Sequence, residues 1–194
     1  RSDIFAAARC GDSDKVRKGV WEDDVDAAGG EVKARHEKFV KVMPADRSET
    51  LLHIAAKKGD ANLVEWLNAH GADPEERDAK GYTAFHIALE KGHSLIVKHF
   101  MDEYPPKEPE HAAIYRSPPS TSALKLAVSS GEPEVVFLTL DNGLATKTGA
   151  REAWNALPVP KSQRQTHGKK PQPTREEDLR NLLMGFANIR LDEI

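Results

Sequence analysis

One stretch of the chain is written twice, 33 residues apart. Thr50-Leu51-Leu52-His53-Ile54-Ala55-Ala56-Lys57-Lys58-Gly59-Asp60 aligns without a gap on Thr83-Ala84-Phe85-His86-Ile87-Ala88-Leu89-Glu90-Lys91-Gly92-His93. Thr, His, Ala and Gly all recur at the same offset. The register continues past the glycine, where Leu63, Val64 and Leu67 match Ile96, Val97 and Phe100. Self-similarity at a fixed period restricts the fold more than any short motif, because each unit must offer its neighbour the same face.

Looser copies flank this pair. Ser122-Ala123-Leu124-Lys125-Leu126-Ala127-Val128-Ser129-Ser130-Gly131 repeats the pattern, followed by Val135 and Val136. Gly92 and Gly131 are 39 residues apart, so six residues are inserted, and the Pro-rich stretch Pro105 to Pro119 is their expected place. Upstream, Phe5-Ala6-Ala7-Ala8-Arg9-Cys10-Gly11-Asp12 carries the same ending, with Val16 at the matching position. Its glycine precedes Gly59 by 48 residues, which puts fifteen extra residues in the polar run Glu22 to Arg35.

Each unit reads as helix, tight turn, helix, long loop. Leu52, Ala55 and Ala56 recur at helical spacing. Gly59, Gly92 and Gly131 end the first helix, where a left-handed residue is cheapest without a β-carbon. The second helix, with Leu63, Val64, Trp66 and Leu67, stops at His70-Gly71 before Pro74, which lacks the N–H needed to continue it. Ala55, Ala56, Ala88 and Ala127 allow adjacent first helices to approach closely. A single unit cannot bury its apolar face, whereas stacked units share one continuous core.

The period, the Thr-x-x-His-x-Ala motif, the terminating glycine and the corner Gly71-Ala72-Asp73-Pro74 together resemble the ankyrin repeat family. Asp78-Ala79-Lys80-Gly81-Tyr82-Thr83 resembles the family's hairpin. The likeness is close over residues 46–104 and extends over about 3–145, with degenerate outer copies. Leu51 and Ala84 depart from the pattern where the family often has Pro, as does Lys125 where it has His. The implied fold is an all-α, ankyrin-like helix-turn-helix repeat solenoid with a C-terminal amphipathic helix. Its units fall at about 3–45, 46–78, 79–119 and 120–145. The resemblance also implies that His53 and His86 hydrogen-bond neighbouring repeat backbones, and that Thr50 and Thr83 cap their helices.

Three further pieces follow the repeats. Ala150, Ala153, Trp154 and Leu157 have helical spacing, so a short helix over 149–157 is expected to seal the stack, completing a domain of 3–157. Residues 158–173 carry four prolines and four basic residues, Lys161, Arg164, Lys169 and Lys170, with no acid, and read as an extended linker. Thr174-Arg175-Glu176-Glu177 is a capping-box signature that opens an amphipathic helix over 174–194. Its apolar stripe is Leu179, Leu182, Leu183, Phe186 and Ile189. That stripe can cover the repeats, dock on another subunit or partner, or begin a further domain.

Composition narrows function. Of the 194 residues 30% are charged and only 6% aromatic, so the core is expected to be thin and aliphatic. A net charge of −3 argues against a surface made wholly for nucleic acid. No apolar stretch reaches the ~18 residues of a membrane span. The single cysteine, Cys10, excludes an internal disulfide framework, and an intracellular location, cytoplasmic or nuclear, is expected. The chain begins at Arg1 without a visible signal peptide and reads as trimmed. Phosphate-loop, nucleophile-elbow and zinc-ligand spacings are missing from the sequence. The expectation is a non-enzyme without metal or cofactor. Ser117-Pro118 and Thr121 are candidates for phosphorylation on an exposed loop.

The resemblance further implies a concave face formed by hairpin tips and first-helix ends. Its helix-end positions are Arg9 and Cys10, Lys57 and Lys58, Glu90 and Lys91, Ser129 and Ser130. Its tip positions are Asp46, Arg47, Glu49, Arg77, Ala79, Lys80, Tyr82 and Thr121. Seven of these are basic and three acidic, a surplus of four on a chain that is acidic overall. Tyr82 is the expected aromatic anchor. The leading expectation is therefore a protein-interaction module, an adaptor, scaffold or targeting domain that binds an acidic peptide or protein. The alternative is nucleic-acid or phosphoprotein binding through the same groove and the basic linker, which would be strongly salt-dependent.

Overall fold

The computed structural model describes residues 2–22, 49–146, 149–150, 153–154, 157 and 174–190. All regular structure among them is helical. In chain order the elements are α1 (Ser2–Cys10), α2 (Ser13–Glu22), α3 (Leu51–Lys58), α4 (Ala61–Ala69), α5 (Ala84–Lys91) and α6 (Ser94–Glu103). A single 3-10 turn, Pro109–His111, leads into α7 (Ala112–Tyr115). Then come α8 (Ala123–Ser130), α9 (Pro133–Asp141) and α10 (Arg175–Arg190). The described positions within 149–154 are also helical.

Side-chain chemistry starts α3, the first helix of the second repeat. Thr50 Oγ1 accepts from the His53 N–H at 3.3 Å, and His53 Nδ1 accepts from the Thr50 N–H at 3.3 Å. Two otherwise orphaned donors of the first turn are thereby satisfied. At the other end Gly59 and Gly92 adopt φ of 78° and 76°. A β-carbon on Gly92 would lie 2.7 Å from Glu132 Cγ, and one on Gly59 would lie 2.7 Å from the His93 ring. Each turn thus nests against the turn of the following unit, which links backbone conformation to stacking register.

Helices α1, α3, α5 and α8 pack side by side in that order, and α4, α6 and α9 form a second layer behind them. Ala55, Ala56, Ala88 and Ala127 are buried along the seam between first helices. One apolar cluster runs without a break from Ile4 in α1 to Leu183 in α10. Burying each such leucine or isoleucine contributes about 1.5–3 kcal/mol, shared between neighbouring units. Phe85 lies at its centre, edge-on to Phe100 with ring centroids 6.1 Å apart and edge-on to Tyr115 at 4.8 Å.

The Pro-rich insertion is not a mere surface loop. Its α7 turns Ile114 and Tyr115 inward, where both are buried. The Tyr115 hydroxyl donates to the Phe100 carbonyl at 2.8 Å and also contacts the Tyr104 carbonyl, which ties the insertion to the end of α6.

At the far end α10 packs on α9. Leu179 and Leu183 are buried there, and Leu182 and Phe186 are half-buried. Arg175 Nη1 pairs with Glu132 Oε1 at 2.8 Å, and the Arg180 guanidinium lies 5.8 Å from the Trp154 ring centroid. Ala153 and Leu157 are buried beneath. Asp46, Arg47, the linker 158–173 and the Ile189 side chain lie outside the described residues.

Candidate partner-binding face

Parallel stacking sets the C-terminal ends of α1, α3, α5 and α8 in one row. Arg9, Lys57, Glu90 and Ser129 hold one register position of that row, and Cys10, Lys58, Lys91 and Ser130 the next. Lys57, Lys58, Lys91 and Ser129 are exposed, while Glu90 and Ser130 are half-buried. Cys10 is an exposed free thiol, and the Arg9 guanidinium sits 5.9 Å from the Phe5 ring centroid.

Charges in this row are partly matched internally. Lys57 Nζ lies 3.5 Å from Glu49 Oε1, and Lys91 Nζ lies 3.6 Å from its neighbour Glu90. Exposed pairs of this kind contribute little, at most about 1 kcal/mol, so an incoming carboxylate can displace them. Lys58 and Lys80 have no acidic partner among the described residues. Ser129 Oγ donates to the Lys125 carbonyl at 2.8 Å, and Ser130 Oγ to the Ala127 carbonyl at 2.6 Å. Both hydroxyls therefore retain only acceptor capacity for a ligand.

The hairpin tip is built around Asp78. Its Oδ1 accepts from the Lys80 and Tyr82 amides at 2.8 and 2.9 Å, and the Asp78 N–H donates to the Tyr82 carbonyl at 2.8 Å. This closed loop holds the exposed Lys80 side chain outward. Tyr82 stands half-buried beside it, with its ring centroid 6.2 Å from His86. Burial first, then Glu90 and Asp78 nearby, raise the Tyr82 phenol above its ordinary pKa, so it remains a neutral donor.

Arg77 occupies a different position from the one its place at the tip implied. Its Nη1 donates to the Gly81 carbonyl at 2.6 Å, and its Nη2 donates to the carbonyls of Ala113 at 2.7 Å and Arg116 at 3.0 Å. It clamps the hairpin to the insertion with three hydrogen bonds, which leaves part of its five-donor fork for another acceptor. Nothing in the local sequence signals this, since two acceptors lie 36 and 39 residues away.

Of the two signature histidines, His53 follows the implied pattern and His86 departs from it. His53 Nε2 reaches the Tyr82 carbonyl at 3.0 Å, across the joint between repeats. His86 Nε2 is buried without a hydrogen-bond partner. Beside it, the Thr83 hydroxyl donates to the Ile114 carbonyl of the insertion at 3.1 Å. Burial lowers the pKa of His53, and burial with the Arg77 charge lowers that of His86 to about 3.

Sequence comparisons agree with this architecture. A family model described as ankyrin repeats, in three copies, matches residues 4–110 and 52–149. The chain belongs to the ankyrin repeat family. A putative ankyrin repeat protein of Pyrobaculum aerophilum is 50% identical over 46 residues, which is 24% of this chain and 17% of that protein. The ARF GTPase-activating protein Git of Drosophila melanogaster is 37% identical over 57 residues, 29% of this chain and 8% of that protein. The transient receptor potential cation channel subfamily A member 1 homolog of Caenorhabditis elegans is 32% identical over 65 residues, 34% of this chain and 5% of that protein. The chain thus spans under a fifth of the length of these relatives. Ankyrin repeats generally mediate protein–protein interaction, through a surface rather than a chemical step. No described helix is long and apolar enough to cross a membrane.

Proposed function

We propose that this ankyrin repeat domain is a non-catalytic adaptor or scaffold module whose row of first-helix ends and hairpin tip receives an acidic peptide or protein. The observation that carries the reading is the exposure of Lys57, Lys58, Lys80 and Lys91 on one edge of the stack, with the acidic residues there outnumbered. The rigid tip around Asp78 supports it, because a preorganised surface loses little freedom on binding. Titration of a fluorescent glutamate-rich peptide against the full chain tests it. Replacing Lys58, Lys80 and Lys91 with Glu is expected to abolish binding and leave the melting temperature nearly unchanged. Equal binding by the triple variant, or equal binding of a lysine-rich peptide, would overturn the reading. A single-stranded oligonucleotide binding more tightly than the peptide would favour nucleic acid instead.

In this reading α10 closes the open end of the stack in cis. Burial of Leu179 and Leu183 on α9 supports it, because an apolar stripe of that size is disfavoured in water. Truncation at residue 173 is expected to lower the melting temperature by several degrees. A truncated chain that melts unchanged yet loses a binding partner would make α10 a docking arm.

A further inference from the structure

The insertion leaves one hydroxyl in a distinctive position. Tyr115 and Pro118 are both buried, and they pin the chain on either side of exposed Arg116 and Ser117. Arg116 is extended, with φ −57° and ψ 119°, and Ser117 and Pro118 continue without regular structure. Ser117 makes no hydrogen bond to any described residue. Of the twelve prolines in the chain, only Pro118 directly follows a serine or threonine. Of the nearby serines, Ser120 hydrogen-bonds the Tyr82 phenol, and Ser122 Oγ accepts from the Lys125 amide at 3.2 Å to cap α8.

Positive charge waits beside this serine. Arg77 Nη2 sits 3.0 Å from the Arg116 carbonyl, one peptide unit from Ser117, and the Arg116 side chain is exposed alongside. The Arg77 guanidinium is disfavoured first by burial and then by the charge of Arg116, with only Glu75 opposing them. An anion at this spot would relieve that repulsion. The same segment continues along the hairpin tip: Pro119 Cδ lies 3.3 Å from where a β-carbon on Gly81 would stand.

We propose that Ser117 is the acceptor for a proline-directed protein kinase, that its phosphate pairs with Arg116 and Arg77, and that the added charge weakens acidic-ligand binding at the adjoining tip. The last clause rests on the function proposed above. The reaction transfers the γ-phosphoryl group of a nucleoside triphosphate to Ser117 Oγ. The new O–P bond replaces the bond to the β-phosphate, the hydroxyl proton passes to the kinase's base, and the nucleoside diphosphate leaves. A dianion there gains charge-assisted hydrogen bonds and anchors the insertion more firmly.

The test treats the folded full chain with a purified proline-directed kinase and ATP, then maps the product by mass spectrometry. One phosphate on Ser117 is expected, and none on the S117A variant. The phosphoprotein should melt about 2–4 °C higher. The Arg116→Ala chain should take up the phosphate but lose most of that gain. No incorporation into the folded chain, or a lowered melting temperature on phosphorylation, would overturn the site or its pairing. The glutamate-rich peptide should bind the phosphoprotein several-fold more weakly than the unmodified chain, and equal affinity would overturn the regulatory clause. Should the unmodified chain fail to bind the peptide at all, the proposed function falls and takes that clause with it. The mass and melting results still decide the site.

Discussion

Two joints of this stack carry the same signature and are built differently. Between α3 and α5 the repeat is regular, and His53 sends a hydrogen bond across to the Tyr82 carbonyl at 3.0 Å. Between α5 and α8, His86 occupies the same register, equally buried, with Nε2 unpaired. Yet the first helices meet at both joints, and the turn glycines nest on the next unit at both. The seam of small side chains therefore sets the stack, and the cross-joint hydrogen bond can be lost without parting the helices. At the second joint the insertion adds buried Ile114 and Tyr115, the latter packed on Phe85.

The largest expected effect breaks the substitute. Tyr115→Ala removes a ring packed on Phe85 and a hydroxyl that serves two carbonyls of the α6 terminus. A loss of about 3 kcal/mol in denaturant unfolding is expected. Tyr115→Phe keeps the ring and should cost about 1 kcal/mol. If both variants unfolded like the parent, the insertion would be a passenger and the second joint would stand on the helices alone.

A smaller effect compares the histidines directly. His53→Ala removes one of the two donors to the Tyr82 carbonyl, which the Asp78 N–H also serves, and strands the Thr50 amide. His86→Ala strands the Thr83 amide alone, since Nε2 serves nothing. Ring volume lost is the same, so the difference isolates one inter-repeat hydrogen bond. His53→Ala is expected to be the more damaging by about 1 kcal/mol. Equal losses would mean that His86 Nε2 finds a partner in solution.

The contrast also marks where sequence reasoning reaches. Thr50, His53, Ala55 and Gly59 reveal their places because capping, helical spacing and left-handed turns are local and recur at a fixed offset. Ile114 and Tyr115 are two apolar residues in a polar, Pro-rich stretch with no period, so nothing local tells that they turn inward. Arg77 looked like a free charge at a tip, and its carbonyl acceptors on the insertion become visible only once the chain has folded. On the row of first-helix ends, register follows from the repeat, but pairing of Lys57 with Glu49 depends on side-chain reach between separate elements. A charge count along the sequence therefore exceeds the charge left free.

The subtlest expected effect is a pH dependence that distinguishes the same two residues. Both histidines are held below their ordinary pKa of 6.5, His53 mainly by burial against the help of the Tyr82 carbonyl, His86 to about 3 by burial and Arg77. In the unfolded chain each would take up a proton near pH 6.5, and in the folded chain neither does so until the pH is lower. Stability is thus fully present above pH 6.5 and declines as the pH falls toward the folded values, because the unfolded state binds more protons. Between pH 7.5 and 5.5, above the range where most carboxylates titrate, His86 alone should account for a loss of about 1 kcal/mol. Chemical denaturation of His86→Ala over this interval should show a shallower slope than the parent chain. His53→Ala should flatten it less, because the carbonyl that accepts from its ring also favours the protonated form. A steeper slope in the His86→Ala chain would mean that this ring is already charged in the folded stack, and that the unpaired nitrogen at the second joint has found an acidic or carbonyl partner.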